Sequence, residues 1–244
     1  ATGIGQTIPC ILYLFYYKVE LPLRIHKEAL KNHKYYKKLY GIGIPATLNI
    51  ALPSVLISVL NAILVSYSAI YVVVLGIYYK LQTFVFMPTN GIIQGIRPLV
   101  GYNYGAKEYK RVNKIYKLTL SLSLIIMIAG TFLCFVFPKE IMGLFTTNEE
   151  TLNAGIVALR IISISFVFSS LSLTSGGVLE GLGMGIPSLI ISLCRYVVII
   201  LPCAYILSSL LGPTGVWHAF WITEVFTAMI SLFIYKKKKK DLFD

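Results

Sequence analysis

Charged residues are scarce in this sequence. They make up 13% of its 244 residues, whereas soluble globular proteins carry about 25%. Acidic residues are scarcest, with 10 Asp and Glu against 22 Lys and Arg, while 57% of the residues are apolar. This composition excludes a water-soluble domain, a disordered tail and a disulfide-stapled secreted module. It predicts an all-α protein, a polytopic bundle of transmembrane helices embedded in a lipid bilayer.

Residue clusters that carry chemistry are also missing. The four cysteines, Cys10, Cys134, Cys194 and Cys203, lie in apolar stretches, and no two of them have metal-ligand spacing. No Ser–His–Asp or Cys–His set can be assembled. The glycine-rich stretch 181–185 lacks the strand that precedes a nucleotide-binding loop. The sequence therefore predicts no enzyme activity, no metal site and no cofactor.

Long apolar runs define the membrane spans, since about 20 helical residues are needed to cross a ~30 Å hydrocarbon core. A partial span at 1–17 ends in interfacial Tyr and Lys residues. The sequence begins at Ala1, without Met and already in an apolar stretch, so we expect a fragment whose beginning is missing. Six full spans are predicted at 42–67, 70–101, 115–137, 152–179, 186–210 and 214–235.

Basic residues cluster in three patches between or after these spans. Residues 18–38 hold seven Lys or Arg, residues 107–117 hold five, and Lys236 to Lys240 add five more. Such clustering is typical of cytoplasmic loops under the positive-inside rule, not of a nucleic-acid-binding face, so no nucleic-acid partner is expected. We predict a cytoplasmic basic loop at 18–41, a six-helix lobe at 42–235 and a cytoplasmic Lys-rich tail at 236–244.

Proline and glycine interrupt several spans. Proline removes a helical hydrogen bond, which a membrane bundle tolerates where a neighbour or cavity water satisfies the freed carbonyl. Pairs at Gly91/Gly95 and Gly101/Gly105 have the spacing that lets helices approach closely. These features indicate either plain packing or helices that flex around a cavity. The candidate hinges are Pro53, Pro88, Pro98 and Pro202.

Charged side chains at membrane depth are costly and are functional candidates by default. Counting about 1.5 Å per residue from the span ends places Lys80, Arg195 and Glu224 near the midplane, where we expect a buried network of two cations and one anion. Such a network is either a structural ion pair or a site that meets an anion, water or a neighbouring lobe.

Further polar candidates lie nearer the boundaries. Arg97 and Glu180 both fall close to the inner boundary and suggest a structural or gating pair. Neutral polar residues of the early spans either hydrogen-bond between helices or line a cavity on a substrate and ion pathway. They are Asn49, Asn61, Gln82, Asn90 and Gln94.

Residues 76–106, GIYYKLQTFVFMPTNGIIQGIRPLVGYNYGA, resemble the multidrug and toxic compound extrusion (MATE) transporters, in particular the bacterial branch similar to the DNA-damage-inducible protein F. VLEGLGMGIP at 178–187 is similar to the family's connection between helices ten and eleven. CRYVVIILPCAYILSSLLGPTGVW at 194–217 is similar to its last two helices. The resemblance runs from the first partial span to Tyr235.

The resemblance implies the C-terminal lobe of a two-lobe transporter, preceded by the end of helix six of a missing N-terminal lobe of the same polypeptide. Such transporters exchange small organic cations or drugs for Na⁺ or H⁺ by alternating access in a bacterial inner membrane. Lys80 and Gln82 then correspond to the family's KLQ segment, and Glu224 to its helix-twelve acid. Arg97 stands where the branch suggests Gln. The coupling carboxylate is expected on the first helix of the missing lobe.

The residues are also compatible with two other functions. Mid-membrane cations such as Lys80 and Arg195 would suit the anionic pyrophosphate of a lipid-linked oligosaccharide, which a flippase of the same superfamily moves. A membrane assembly subunit without transport is the other alternative.

Overall fold

The computed structural model describes residues 2–20 and 36–243, and its regular elements there are helices. A five-residue π-helical turn, Cys194–Val198, separates the seventh helix from the eighth. The helices are α1 Thr2–Glu20, α2 Tyr36–Val65, α3 Ala69–Gly105, α4 Tyr109–Val136, α5 Pro138–Gly143, α6 Glu149–Gly181, α7 Gly185–Leu193, α8 Ile200–Leu211 and α9 Pro213–Phe243.

Within the described ranges, six helical segments are long and apolar enough to cross a membrane, which confirms the predicted all-α membrane bundle. Several helices run further than their apolar cores. For example, α4 begins at Tyr109 instead of residue 115, and α9 continues to Phe243 instead of ending at 235. Lys and Arg are good helix formers, so the basic segments next to a span extend its helix. The segment 236–243 is therefore helical, and its cytoplasmic location remains a prediction.

The described residues fall into two compact units, which divide between Tyr40 and Gly41. In the first, α1 contains an apolar stretch, Thr7–Tyr16, that is shorter than a membrane crossing. Most of the predicted basic loop, residues 21–35, lies outside the described residues, whereas residues 18–20 and 36–41 are helical. The assignment of α1 to a preceding lobe remains a prediction.

Helix α6 is the centre of the second unit, where it packs against α3, α4 and α9. Its buried face is rich in small polar residues such as Ser163, Ser169 and Ser175. Small residues let neighbouring helix backbones approach closely in a membrane bundle. Larger apolar side chains, among them Leu75, Phe166 and Trp217, fill the core around this helix.

The π-helical turn breaks the span that the sequence predicts as one helix over 186–210. Within it, the Ile199 amide donates to the Cys194 carbonyl at 3.1 Å, five residues back. Pro202 follows on α8 and has no amide hydrogen to donate to the Val198 carbonyl, so the regular hydrogen-bond ladder cannot continue through this region. Pro53, Pro88 and Pro98, in contrast, lie inside uninterrupted helices. The hinge role of all four prolines stays a prediction.

Candidate functional site

One face of α3 carries a row of uncharged side chains. Gln82, Phe86, Asn90 and Gln94 follow one another at four-residue spacing, which places them on the same side of a helix. All four line an open cavity of about 490 Å³, together with Tyr196 from the π-helical turn. Three of the predicted pathway residues therefore meet in one uncharged, partly aromatic cavity.

A second cavity, of about 340 Å³, adjoins the first because Asn90 and Tyr196 line both. Its walls come from α2, α3, α6, α7 and the π-helical turn. Unlike the first cavity, it is lined by charged side chains, namely Arg97, Glu180 and Arg195. We call it the charged cavity and its neighbour the uncharged cavity.

Arg195 and Glu224 form a buried ion pair behind the charged cavity. The Arg195 Nε lies 2.6 Å from Glu224 Oε1, and the two side chains are only 7% and 9% exposed. The Ser172 hydroxyl lies 3.4 Å from the other carboxylate oxygen. The structure thus brings Arg195 and Glu224 together, and Ser172 adds a polar partner from α6; their place on a substrate or ion pathway remains a prediction.

The π-helical turn places Arg195 beside aromatic rings. Its guanidinium carbon lies 5.8 Å from the Phe86 ring centroid and 5.4 Å from that of Tyr196. A guanidinium at this distance from a ring face is attracted by the ring's electrons. π-Helical turns are often found at functional sites in helices. The turn thus places Arg195, which lines the charged cavity, beside the rings of Phe86 and Tyr196, which line the uncharged cavity.

Arg97 and Glu180 form the second ion pair, at the other end of the charged cavity. Glu180 Oε1 also accepts hydrogen bonds from Asn49 Nδ2 and from the Ser188 hydroxyl, each at 2.9 Å. This network joins α2, α3, α6 and α7. The Asn49 Oδ1 atom is buried and has no hydrogen-bond partner among the residues that the structure describes. The structure brings Arg97, Glu180 and Asn49 into one network, and the structural or gating role of the Arg97–Glu180 pair remains a prediction.

Lys80 does not join the buried network, so that part of the prediction is wrong. Its side chain is exposed, and none of the carboxylates in the described ranges forms an ion pair with it. Tyr78, two residues earlier, is buried in the core. Two residues correspond to about 200° of rotation around a helix, which turns Lys80 away from the core. Its depth alone did not specify the side of the helix on which it lies.

Asn61 also lies apart from the cavities. It is half-buried and lines neither of them. Asn61 follows Asn49 by twelve residues, which corresponds to about 18 Å along α2. A pathway role for Asn61, and likewise for Lys80, remains a prediction without support from the cavity geometry.

The sequence reasoning missed three contributors: Ser172, Ser188 and Tyr196. A helical signal for Ser172 was available, because Ser172, Gly176 and Glu180 recur every four residues and share one face of α6. All three of these α6 residues line the charged cavity. Ser188 and Tyr196 carry no comparable signal, since their positions depend on the turn after α6 and on the π-helical turn.

Replacing Arg97 with glutamine is expected to change the thermal midpoint of unfolding only slightly. The Arg97 side chain is 44% exposed, and half-exposed ion pairs contribute about 0–1 kcal/mol to stability. Glu180 also keeps its hydrogen bonds from Asn49 and Ser188. Thermal unfolding in detergent micelles checks this. A loss of several degrees more than that of Arg160→Gln, a variant of an exposed arginine on α6, would contradict it.

The MatE family model matches residues 45–206. The chain belongs to the MATE family. MATE proteins are transporters and not enzymes, which agrees with the absence of catalytic motifs from the sequence. The chain is therefore a multi-pass membrane protein of a multidrug efflux transporter family.

Curated relatives include the multidrug export protein MepA of Staphylococcus haemolyticus, 26% identical over 235 residues, covering 96% of this chain and 52% of the relative. MepA of Staphylococcus aureus strain bovine RF122 is 25% identical over 238 residues, with the same coverage. This MATE chain thus spans about half the length of the curated relatives that it matches.

Solved structures agree with the family assignment at the level of the fold. An outward-facing multidrug resistance MATE transporter of the MOP superfamily superposes with a TM-score of 0.86 at 20% identity, covering 96% of this chain and 54% of that one. A MOP superfamily transporter from Pyrococcus furiosus, whose binding pocket is described as having reverse polarity, gives the same TM-score, identity and coverage.

Proposed function

We propose that this chain is the C-terminal lobe of a bacterial secondary active exporter that exchanges organic cations or drugs for Na⁺ or H⁺ by alternating access. The observation that carries the proposal is the family match over residues 45–206. The relatives that the chain covers to about half their length are multidrug export proteins. An N-terminal lobe of the same polypeptide is the proposed partner.

The uncharged cavity is the proposed place for the body of a drug. Phe86, Met87 and Tyr196 give it apolar and aromatic walls, while Gln82 and Asn90 supply polar groups for orientation. Mostly apolar walls with a few polar groups are typical of small-molecule sites. An aromatic wall also attracts organic cations through the ring electrons.

The coupling carboxylate is proposed to lie in the partner lobe. Within the charged cavity and its surroundings, Glu180 and Glu224 are each held by an arginine. A Na⁺ or H⁺ would have to displace a guanidinium from either carboxylate. Neither acid is therefore a ready ion site in this lobe.

The orientation with a cytoplasmic C-terminus is supported by one contact. Lys239 Nζ donates to Asn113 Oδ1 at 3.0 Å, which joins the basic end of α9 to the basic start of α4. Both basic segments therefore lie at the same end of the bundle, as the positive-inside rule requires of cytoplasmic segments. We propose that this end faces the cytoplasm at the bacterial inner membrane.

The test is efflux of the fluorescent cation rhodamine 123 from proteoliposomes that hold the full polypeptide. We expect efflux that rises when an inward Na⁺ or H⁺ gradient is imposed and falls when the gradient is collapsed. Arg160→Gln, remote from both cavities, serves as a control that retains efflux. Efflux at the rate of protein-free liposomes under both gradients would overturn the proposal.

A flippase for an anionic lipid-linked oligosaccharide is the second candidate. It is favoured by one observation, namely that Arg97 and Arg195 both line the charged cavity. Movement of a fluorescent polyprenyl-pyrophosphate sugar between leaflets, without gradient-dependent export of rhodamine 123, would favour this function over cation export.

A further inference from the structure

We propose that the charged cavity is a subsite for an acidic group of the transported molecule, such as a carboxylate, sulfonate or phosphate, with Arg97 as its principal donor. The inference rests on the proposed export function and specifies its ligand. A molecule that uses both cavities places its aromatic body in the uncharged cavity and its acidic group beside Arg97.

The carboxylates in and behind the charged cavity have little capacity left for a cation. Glu180 Oε2 contacts the Arg97 guanidinium, and Glu180 Oε1 accepts from both Asn49 and Ser188. Glu224 is bound by Arg195 and Ser172, and it is 9% exposed. A cation entering the charged cavity would gain a carboxylate only by displacing an arginine, at the cost of leaving that arginine without its partner.

The two arginines have more N–H donors than their ion pairs use. A guanidinium carries five N–H groups and accepts no hydrogen bonds. Arg97 contacts Glu180 through Nη2, and its side chain is 44% exposed. Arg195 is held through Nε and is 7% exposed. Arg97 can therefore contact an incoming acidic group with its remaining N–H groups, whereas the positive charge of Arg195 is balanced by Glu224.

The two ion pairs lie at different positions along the charged cavity. Ser172 contacts Glu224 of the Arg195–Glu224 pair, and Glu180 is the acidic member of the other pair. Ser172 and Glu180 are eight residues apart on α6. That spacing corresponds to about 12 Å along a helix. Both arginines line the charged cavity between these points, and Asn90 and Tyr196 connect it to the uncharged cavity. One extended ligand can therefore occupy both cavities.

A matched pair of dyes tests the proposal. Rhodamine 110 bears a free carboxylate, and rhodamine 123 is its methyl ester. Binding of each to the full polypeptide in phosphatidylcholine nanodiscs is measured by fluorescence anisotropy. We expect Arg97→Gln to weaken the binding of rhodamine 110 by about tenfold, which is the effect of losing one charge-assisted hydrogen bond. Rhodamine 123 should change less than about twofold, because it lacks the carboxylate.

Control variants distinguish the effect of losing a local contact on binding from the effect of changing the net charge. Arg160→Gln removes one positive charge on an exposed part of α6 and should leave the affinities of both dyes unchanged. Arg97→Lys keeps the charge but not the planar fork and should restore part of the rhodamine 110 affinity. The proposal is overturned if Arg97→Gln leaves rhodamine 110 binding unchanged, or if it weakens the binding of both dyes equally.

The acidic group could also belong to a lipid headgroup, and a second arm distinguishes the sources. Phosphatidylglycerol in the nanodiscs would weaken rhodamine 110 binding to the unsubstituted protein, but not to Arg97→Gln, if headgroups enter the same subsite. Without this competition, the acidic group belongs to the transported molecule itself. In either case the Arg97 dependence remains the decisive measurement.

Failure of this inference is distinguishable from failure of the export function. Gradient-driven efflux of rhodamine 123, combined with Arg97-independent binding of rhodamine 110, overturns the acidic subsite alone. Arg97-dependent binding of rhodamine 110 without gradient-driven efflux of either dye overturns the export function and leaves the subsite in place.

Discussion

Replacing Arg195 with methionine is expected to destabilise the protein by about 3–5 kcal/mol, the usual cost of leaving a buried charge without its partner. Glu224 is 9% exposed, so water cannot replace the lost guanidinium. The nearby Ser172 hydroxyl, 3.4 Å from the carboxylate, compensates only in part. Equilibrium unfolding in mixed detergent micelles measures the change in the free energy of unfolding.

The double variant Arg195→Met/Glu224→Leu is the control for this prediction. Replacing both members of a buried ion pair with apolar residues of similar size is often neutral or stabilising. We therefore expect the double variant to recover most of the stability that the single variant loses. A double variant that is as unstable as the sum of the two single variants would show that the two charges do not interact.

Replacing Gly215 with alanine is expected to lower the free energy of unfolding by about 3 kcal/mol, which is at the upper end of the usual range for overpacking. A Cβ atom at Gly215 would overlap the backbone oxygen of Leu207. Backbone atoms cannot move aside as a flexible side chain can, so α8 and the start of α9 would have to separate. The same unfolding measurement in micelles detects this.

Gly76→Ala is the matched control, since Gly76 lies in the interior of α3 and a Cβ there meets nothing within 4 Å. Alanine is preferred to glycine inside a helix by about 0.5–1 kcal/mol. Gly76→Ala should therefore be neutral or slightly stabilising. Equal effects of the two substitutions would mean that the close approach at Gly215 does not matter for stability.

The six membrane spans could be predicted from the sequence because each is a long apolar run, and a bilayer of fixed thickness selects for that length. Helix ends were less predictable, since the helices at Tyr109 and Phe243 extend into basic segments that no membrane constrains. The π-helical turn at Cys194–Val198 could not be predicted from the apolar pattern. It depends on hydrogen bonding around Pro202 and on packing with neighbouring helices.

The buried charges show which parts of a site follow from sequence. Counting residues from the span ends gave the common depth of Arg195 and Glu224, and the structure joins them. Depth does not give the direction in which a side chain points, which is why Lys80 was misplaced. The bond from Asn49 to Glu180 joins residues 131 positions apart, and no local pattern predicts such a pairing.

Close glycine contacts were similarly hard to predict. Of the two glycine pairs on α3, only Gly101 has a neighbour within 4 Å of a Cβ position in the described part of the chain, the Gly181 oxygen at 3.2 Å. Gly91, Gly95 and Gly105 meet nothing within that distance. Spacing identifies the face on which small residues recur, whereas the helix that approaches that face is set by the tertiary fold.

The central claim is that the two cavities lie on the route of a transported molecule, and labelling of a single cysteine tests it most directly. Asn90→Cys, in a variant of the full polypeptide with no other cysteine, places a thiol where both cavities meet. Its reaction with a membrane-impermeant maleimide is measured with and without saturating rhodamine 123. Thr147→Cys, in the exposed connection before α6, is the control.

The account predicts that rhodamine 123 slows labelling at position 90 by about tenfold, which corresponds to a site occupied about 90% of the time. Labelling at position 147 should be unaffected, since that residue lies outside both cavities. Equal labelling rates at position 90 with and without the dye would contradict the claim that these cavities lie on the transport route.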